Sequence, residues 1–456
     1  MTTFEDADLS FDDDSDVDMA PTNDVAAGRP YDVLNVSSDA FWDLDLPERE
    51  PIFAELRRDR PVTWQPPIET AVVPDPDDPG FWAVVRHKDI VEISQKSDVF
   101  VSRYGVMFDT LPPVFLEMAM SFLAMDNPQH QKVRRLVSSA FTARQIQRIE
   151  HDIASRAQRI VQAAREKAAD GEAIDFVADI SKHLPVELFG DMFGIPDDLR
   201  AAYSHAADET QAWADPELLA GRDAAEVQVE AALVIHDLTE ELIAERRKNP
   251  TEDLLTSLVQ AEVDGERLSE FEIGATMVLT AVAATDTTRH TSSFAAKALN
   301  DFPEQRAWLW EDFDGRIGKS VEEFLRWGSV VQNFRRTCVT EYELGGQTIL
   351  PGDKVVMMYS SGNRDETVFD NPNDFILSRE RNPHIAFGGG GIHFCLGSQL
   401  ARTMLKTLFR ELHDQMPNFS TGDPLLVRTN FIRGVVTMPF DPGPFDPGPF
   451  DPGPRS

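Results

Sequence analysis

Apolar residues recur at spacings of three and four from Gln145 to Ala169 and again from Ala225 to Arg247, with charged residues between them. That is the period of an amphipathic helix, so each segment is predicted to lay one face on a core. Residues 271–300, FEIGATMVLTAVAATDTTRHTSSFAAKALN, are mostly apolar with few breakers and predict a long helix running through that core. The preceding LVQAEVDGERLSEFEI reads as a helix, a turn at Asp264-Gly265 and a new helix start. Leu396, Leu400, Met404, Leu408 and Leu412, four residues apart, form one stripe of a last helix. Strand signals are fewer: FWAVV at 81–85, RTCVT at 336–340, and KVVMMY at 354–359 after a Pro351-Gly352 turn. The pattern predicts a mainly α architecture with a small β part. No low-complexity linker interrupts it, which favours one large domain.

The two ends depart from this pattern. Residues 1–28 carry nine acidic residues and no Lys or Arg, and are expected to be a disordered acidic tail. At the other end FDPGP repeats three times from Phe440 to Pro454, a density of Pro and Gly that excludes helix and sheet interior. The expected domain therefore spans residues 29–440, with a repeat tail at 441–456.

Charge and cysteine content narrow the function classes. A net charge of −35 argues against nucleic acid as a partner, because phosphate binding needs cationic surface. No stretch approaches the ~18 consecutive apolar residues of a membrane span. The N-terminus has neither the cationic start nor the apolar core of a signal peptide. Two cysteines, Cys338 and Cys395, cannot build a disulfide framework. A cytoplasmic location is expected. Cys338 reads as strand core.

Cys395 is different, because it sits in FGGGGIHFCLGSQLAR (387–402), between four glycines and the last helix stripe. Free N–H groups and the helix dipole at that helix start are expected to draw the thiol toward thiolate. A zinc site would want more than His384, His393 and Cys395. A nucleophile would want a base and an oxyanion site, and no such signature accompanies it. A haem iron needs a single axial thiolate and a loop without side chains that lets the porphyrin approach. That chemistry suits every residue of the loop.

The loop resembles the haem-binding signature of the cytochromes P450, and further family motifs follow in order from about Pro30 to Phe440. The resemblance implies one large helical prism with haem b between a long central helix and the cysteine helix. It makes Cys395 the iron ligand and places Ala283, Phe387 and Gly397 against the haem. His130, Arg134, Arg336 and His393 resemble the set that holds the two propionates; sequence does not separate Arg336 from Arg335. Asp286 and Thr287, an acid and a hydroxyl inside an apolar helix, resemble the pair that relays protons to bound O2. Two residues before the acid the family usually has Gly, and here stands Ala284. Glu323 and Arg326, three apart, match the family's structural ExxR pair. The usual third partner, an Arg before Phe375, is Asp374 here, and Arg379 is the substitute considered.

Phe387 lies eight residues before Cys395, one more than in the commoner pattern. That longer glycine form, with FRRT and ELGG nearby, is similar to a branch hydroxylating sterol side chains and methyl-branched lipids. The resemblance places Val106, Met107, Phe108, Leu111, Val282, Val330, Val331, Phe334 and Phe431 around a lipophilic substrate. It implies a monooxygenase that hydroxylates an unactivated C–H bond, taking electrons from a ferredoxin and its NAD(P)H-dependent reductase. Lys132, Arg135, Arg144, Arg402, Lys406 and Arg410 would form the cationic docking face. A peroxygenase would not need the acid–Thr pair, and a haem sensor would need an output domain that is not visible.

Overall fold

The computed structural model describes residues 21, 26–109, 113–138, 141, 143–210, 219, 221–263, 265–427 and 429–444. Leu111, Asp264, the side chain of Arg144 and most of both tails lie outside them. In chain order the longer helices are α1 (Leu46–Asp59), α2 (His87–Gln95), α3 (Gln129–Ser138), α4 (Ala143–Ala169), α5 (His183–Phe193), α6 (Asp197–Thr210), α7 (Ala224–Lys248), α8 (Glu270–Asp301), α9 (Phe313–Gly328) and α10 (Ser398–Gln415).

The 32 residues of α8 reach about 48 Å at ~1.5 Å per residue. Its start is set by a capping box: the Glu272 N–H donates to Ser269 Oγ at 3.1 Å, and the Ser269 N–H donates to the Glu272 carboxylate at 2.8 Å. Buried residues from Ile273 to Leu299 occupy several of its faces. It therefore lacks a single apolar stripe and packs against α5, α6, α7 and α9 at once. The last helix, α10, lies along α4. These helices close the largest of three hydrophobic clusters.

A mixed sheet stands beside the helices. Its strands run in the order β1 (Val62–Gln65), β2 (Phe81–Val84), β6 (Lys354–Met358), β5 (Asn333–Cys338), β3 (Phe100–Val101). Only β2 and β6 are parallel. Cys338 is fully buried there, as its strand position implies. A second, three-stranded sheet joins β7 (Ser420–Thr421), β10 (Pro439–Asp441) and β4 (Ile174–Asp175), and β8 (Leu425–Val427) pairs with β9 (Gly434–Thr437).

The boundaries read at residues 28 and 440 need correction. Ala26 is buried in the cluster beneath the mixed sheet, and Asp441 still pairs with Ser420. Phe440 fits between Phe176 and Phe419, with ring centroids at 5.3 and 5.4 Å. One ring and a two-residue strand pairing are enough to draw the start of the repeat into the fold.

Helix α9 is tied to the chain that leads to Cys395. Arg326 Nε and Nη2 donate to the Glu323 carboxylate at 2.8 and 2.7 Å, and neither side chain is exposed. Arg326 also donates to the carbonyls of Asn363, Pro372 and Asp374 at 3.0, 2.7 and 2.9 Å. Arg379 Nε approaches both Glu323 oxygens at 3.2 and 3.1 Å, and Asn382 Nδ2 reaches one at 3.0 Å. Arg379 thus occupies the third position that Asp374 leaves vacant. A carboxylate with this many donors is satisfied without water, as burial demands.

Candidate active site

A cavity of about 250 Å³ opens between α8 and the cysteine loop. Cys395, Phe387, Gly388, Gly389, Gly390, Phe394 and Gly397 form one part of its wall. The Cys395 N–H donates to the Phe387 carbonyl at 3.0 Å, which folds the loop back on itself. Two of the glycines serve packing as well as clearance. A Cβ on Gly389 would stand 2.9 Å from Val91 Cα, and one on Gly391, at φ +74°, would run into the Ser94 carbonyl. The loop is therefore pressed onto α2.

The expected drift of Cys395 toward thiolate is not what the fold alone produces. Burial pushes the thiol up, and the Gly397 N–H, Arg134 and Arg402 only partly oppose it. The helix begins three residues later, at Ser398, so its dipole acts weakly at the sulfur. A bound cation would reverse the balance, because metal coordination deprotonates a thiol outright.

Strand alternation separates the two arginines that sequence leaves equivalent. Phe334 and Arg336 line the cavity, whereas Arg335 between them points away and donates to the Tyr104 carbonyl. Arg336 is buried, and among the described residues no carboxylate pairs with it; burial lowers its pKa. Arg134 also lines the cavity without an ion pair among the described residues, donating to the Phe394 carbonyl.

His393 lines the cavity, and its Nε2 meets Ser102 Oγ at 3.0 Å. His130 is not on the wall. It stands behind, 4.4 Å from the His393 ring, buried, and among the described residues neither ring nitrogen has a hydrogen-bond partner. Burial brings His130 down to about 4 and His393 to about 2, so both rings are neutral at pH 7. Two guanidiniums without carboxylate partners among the described residues, the His393 imidazole and a thiol around one cavity, with the His130 ring behind, fit a flat ligand with carboxylates and a metal centre. Haem has those features, and the residues present suit it.

From α8 the wall receives Leu279, Thr280, Ala283, Ala284, Thr287, Thr288 and Thr291. The Thr287 hydroxyl donates to the Ala283 carbonyl at 3.0 Å, so it is held by its own helix while facing the cavity. Asp286 faces elsewhere and is 2% exposed. Arg289 holds it at 2.9 Å, Arg289 holds Asp208 at 2.9 Å, and Asp208 holds Lys182 at 2.8 Å. Burial nevertheless raises the Asp286 carboxyl to about 6, with Arg289 opposing.

Several expected pocket residues need correction. Val330, Val331 and Phe334 line the cavity, but Phe431 sits behind Phe334, ring to ring at 5.3 Å. Val282 falls one step off the α8 stripe and packs into the core. Val106 and Met107 are core residues, and Phe108 belongs to another cluster against Phe81 and Trp42. The cause is a clamp: the Arg335 N–H donates to the Val106 carbonyl at 2.7 Å and lays this loop on the sheet edge. Missed instead were Pro185, Leu188, Phe189 and Met192 of α5, together with Phe122, Leu123 and Phe141. The α5 residues follow the helical i, i+3, i+4, i+7 pattern, which reveals an apolar face but not that it borders a void.

Comparison with known proteins agrees with this geometry. A family model described as Cytochrome P450 matches residues 81–413. The chain is 38% identical over 417 residues to a methyl-branched lipid omega-hydroxylase of Mycobacterium tuberculosis, covering 90% of this chain and 95% of that protein. It is 35% identical over 411 residues to a steroid C26-monooxygenase of Rhodococcus jostii, covering 88% and 84%. Among solved structures, Mycobacterium marinum cytochrome P450 CYP268A2 in complex with pseudoionone superposes with a TM-score of 0.88 at 50% identity, over 90% of this chain and 99% of that one. The chain belongs to the cytochrome P450 family and is a cytochrome P450 monooxygenase.

Proposed function

We propose that the protein is a haem-thiolate monooxygenase hydroxylating a lipophilic substrate of the sterol or methyl-branched lipid class, with electrons from a ferredoxin. The observation that carries this reading is one cavity that combines the Cys395 thiol, Arg134 and Arg336 without carboxylate partners among the described residues, and an otherwise mainly apolar wall. Bound haem would supply dioxygen activation and oxidation of a C–H bond. Cys395 would ligate the iron, Arg134, Arg336 and His393 would hold the propionates, and His130 would support His393 from behind. Phe334, Val330, Val331 and the α5 face would position the hydrocarbon and exclude water. Thr287 would hand protons to the cavity, and Asp286 would draw them along the Arg289–Asp208–Lys182 chain.

No helix among the described residues is long and apolar enough to cross a membrane. The relatives' printed activities, on methyl-branched lipids and at steroid C26, support the substrate class. The deciding experiment is the carbon monoxide difference spectrum of the reduced protein beside Cys395→Ala. A thiolate-type red-shifted band, absent from the variant, is expected; a histidine-type band or no haem refutes the reading. Sterols and branched fatty acids should then shift the haem spin state, and a response confined to polar charged molecules would sink the substrate class.

A further inference from the structure

Arg402, in the second turn of α10, is bound up in contacts that face the cysteine loop. Its Nε and Nη2 donate to the two oxygens of Glu322 at 2.7 and 2.8 Å. Its guanidinium carbon lies 4.6 Å from the centroid of the Phe387 ring. Phe387 lines the cavity, and its carbonyl accepts the Cys395 N–H. Glu322 also accepts a hydrogen bond from His384 Nε2 at 3.0 Å, while His384 Nδ1 accepts the Ala386 N–H at 3.2 Å. A continuous set of contacts therefore runs from α9, through an ion pair, to the backbone that carries the sulfur.

We propose that Arg402 and Glu322 pull in opposite directions on the reduction potential of the iron that Cys395 would ligate, so that each offsets the other. Arg402 places a cation against the cysteine loop, 4.6 Å from the centroid of the Phe387 ring, and Glu322 opposes its field. The inference rests on the haem-thiolate reading above and assigns both residues a positioning role. Reduction adds one negative charge to the iron–thiolate unit, so a bare cation nearby favours the reduced form and a bare anion disfavours it. Arg402 reaches the cysteine loop through Phe387: its guanidinium packs on the ring, and the Phe387 carbonyl accepts the Cys395 N–H at 3.0 Å. The pair is also suited to hold a fixed field. The fork is bidentate, and hydrogen bonds from Arg402 and His384 overcome burial to bring Glu322 down to about 2, so it stays ionised at neutral pH.

The test is a spectroelectrochemical titration of the haem-loaded parent, Glu322→Gln, Arg402→Gln, the double variant and Arg402→Lys. Glu322→Gln is expected to raise the potential and Arg402→Gln to lower it. Each change should alter the reduced-to-oxidised ratio about tenfold, ~59 mV for one electron. The double variant should return close to the parent, and Arg402→Lys, which keeps the charge, should stay near it. A purely structural brace would lower haem retention in every variant without producing shifts of opposite sign. Equal or same-sign potentials in variants that keep a thiolate-type carbon monoxide spectrum overturn the inference alone. A parent without that spectrum overturns the haem reading and this inference together. If Glu322→Gln fails to fold beside Glu323, the comparison of Arg402→Gln with Arg402→Lys decides, and identical potentials refute the proposal.

Discussion

Replacing Arg379 by Met should cost about 2–3 kcal/mol of unfolding free energy, one charge-assisted hydrogen bond to a buried carboxylate being worth roughly 1.5–3 kcal/mol. Glu323 is wholly buried, and Arg379 Nε sits 3.1 Å from its nearer oxygen. The carboxylate would keep Arg326, the Ile376 N–H at 2.9 Å and Asn382, so the ~3–5 kcal/mol penalty of an orphaned buried charge is not reached. The Asp374 carbonyl would likewise keep Arg326 as donor. Arg326→Met is the contrasting change, because it removes both hydrogen bonds of the fork on Glu323 and strips donors from the carbonyls of Asn363 and Pro372. Its expected cost exceeds about 4 kcal/mol, a large share of the ~5–15 kcal/mol that holds a typical protein folded. Urea unfolding of the haem-loaded proteins, followed by tryptophan fluorescence, gives both numbers. A loss below about 1 kcal/mol for Arg379→Met would show that Arg379 is only a neighbour of the pair and not its third member.

Thr287→Ala should keep consuming dioxygen but release it largely as peroxide, and product formation still matched to oxygen use would refute the relay. Because the Asp286 carboxyl is raised to about 6 by burial, the folded state binds the extra proton, and stability attributable to this group falls as pH rises from about 4 through 6. Asp286→Asn should flatten that slope in urea midpoints measured across the range, and an unchanged slope would contradict the assignment. Phe440→Ala should cost about 3–5 kcal/mol, as for other buried aromatic truncations, whereas deleting residues 445–456 should leave the urea midpoint unmoved. Comparable losses from the two changes would be wrong for this placement of the repeat. Charge reversal at the exposed Arg135 and Lys406 should slow reduction by an acidic ferredoxin about tenfold at low salt, less as salt is added. Arg410→Gln, whose partner Asp314 already takes its charge, should change little, and equal effects at all three sites would refute the docking face.

Local pattern was enough for much of the frame. The helix expected at 271–300 spans 270–301, and those expected at 145–169 and 225–247 span 143–169 and 224–248. Periodicity works here because each helix must satisfy its own backbone and bury its own face, and both requirements are written in consecutive residues. The cysteine loop was legible for a related reason. Four glycines beside a lone thiol are expensive in backbone entropy, and the close approach of a flat ligand with a metal centre is a use that suits that composition.

Other decisions needed the fold. Arg335 and Arg336 are adjacent and chemically identical, and only the pairing of β5 with β6 and β3 says which one faces the cavity. Arg379 reaches Glu323 across 56 positions of chain. Arg402, a docking cation by local sequence, is held by Glu322 from 80 residues away. Val106, Met107 and Phe108 are apolar in a loop, and one backbone hydrogen bond from Arg335 turned them from pocket to core. The sequence by itself determined the elements and the family, because these depend on residues within a few turns of each other. Which charges are cancelled, which apolar side chains border the void and where the thiol's pKa settles were decided by tertiary structure alone. Coulombic fields and burial act through distances in space, and chain order does not encode those until the helices have packed.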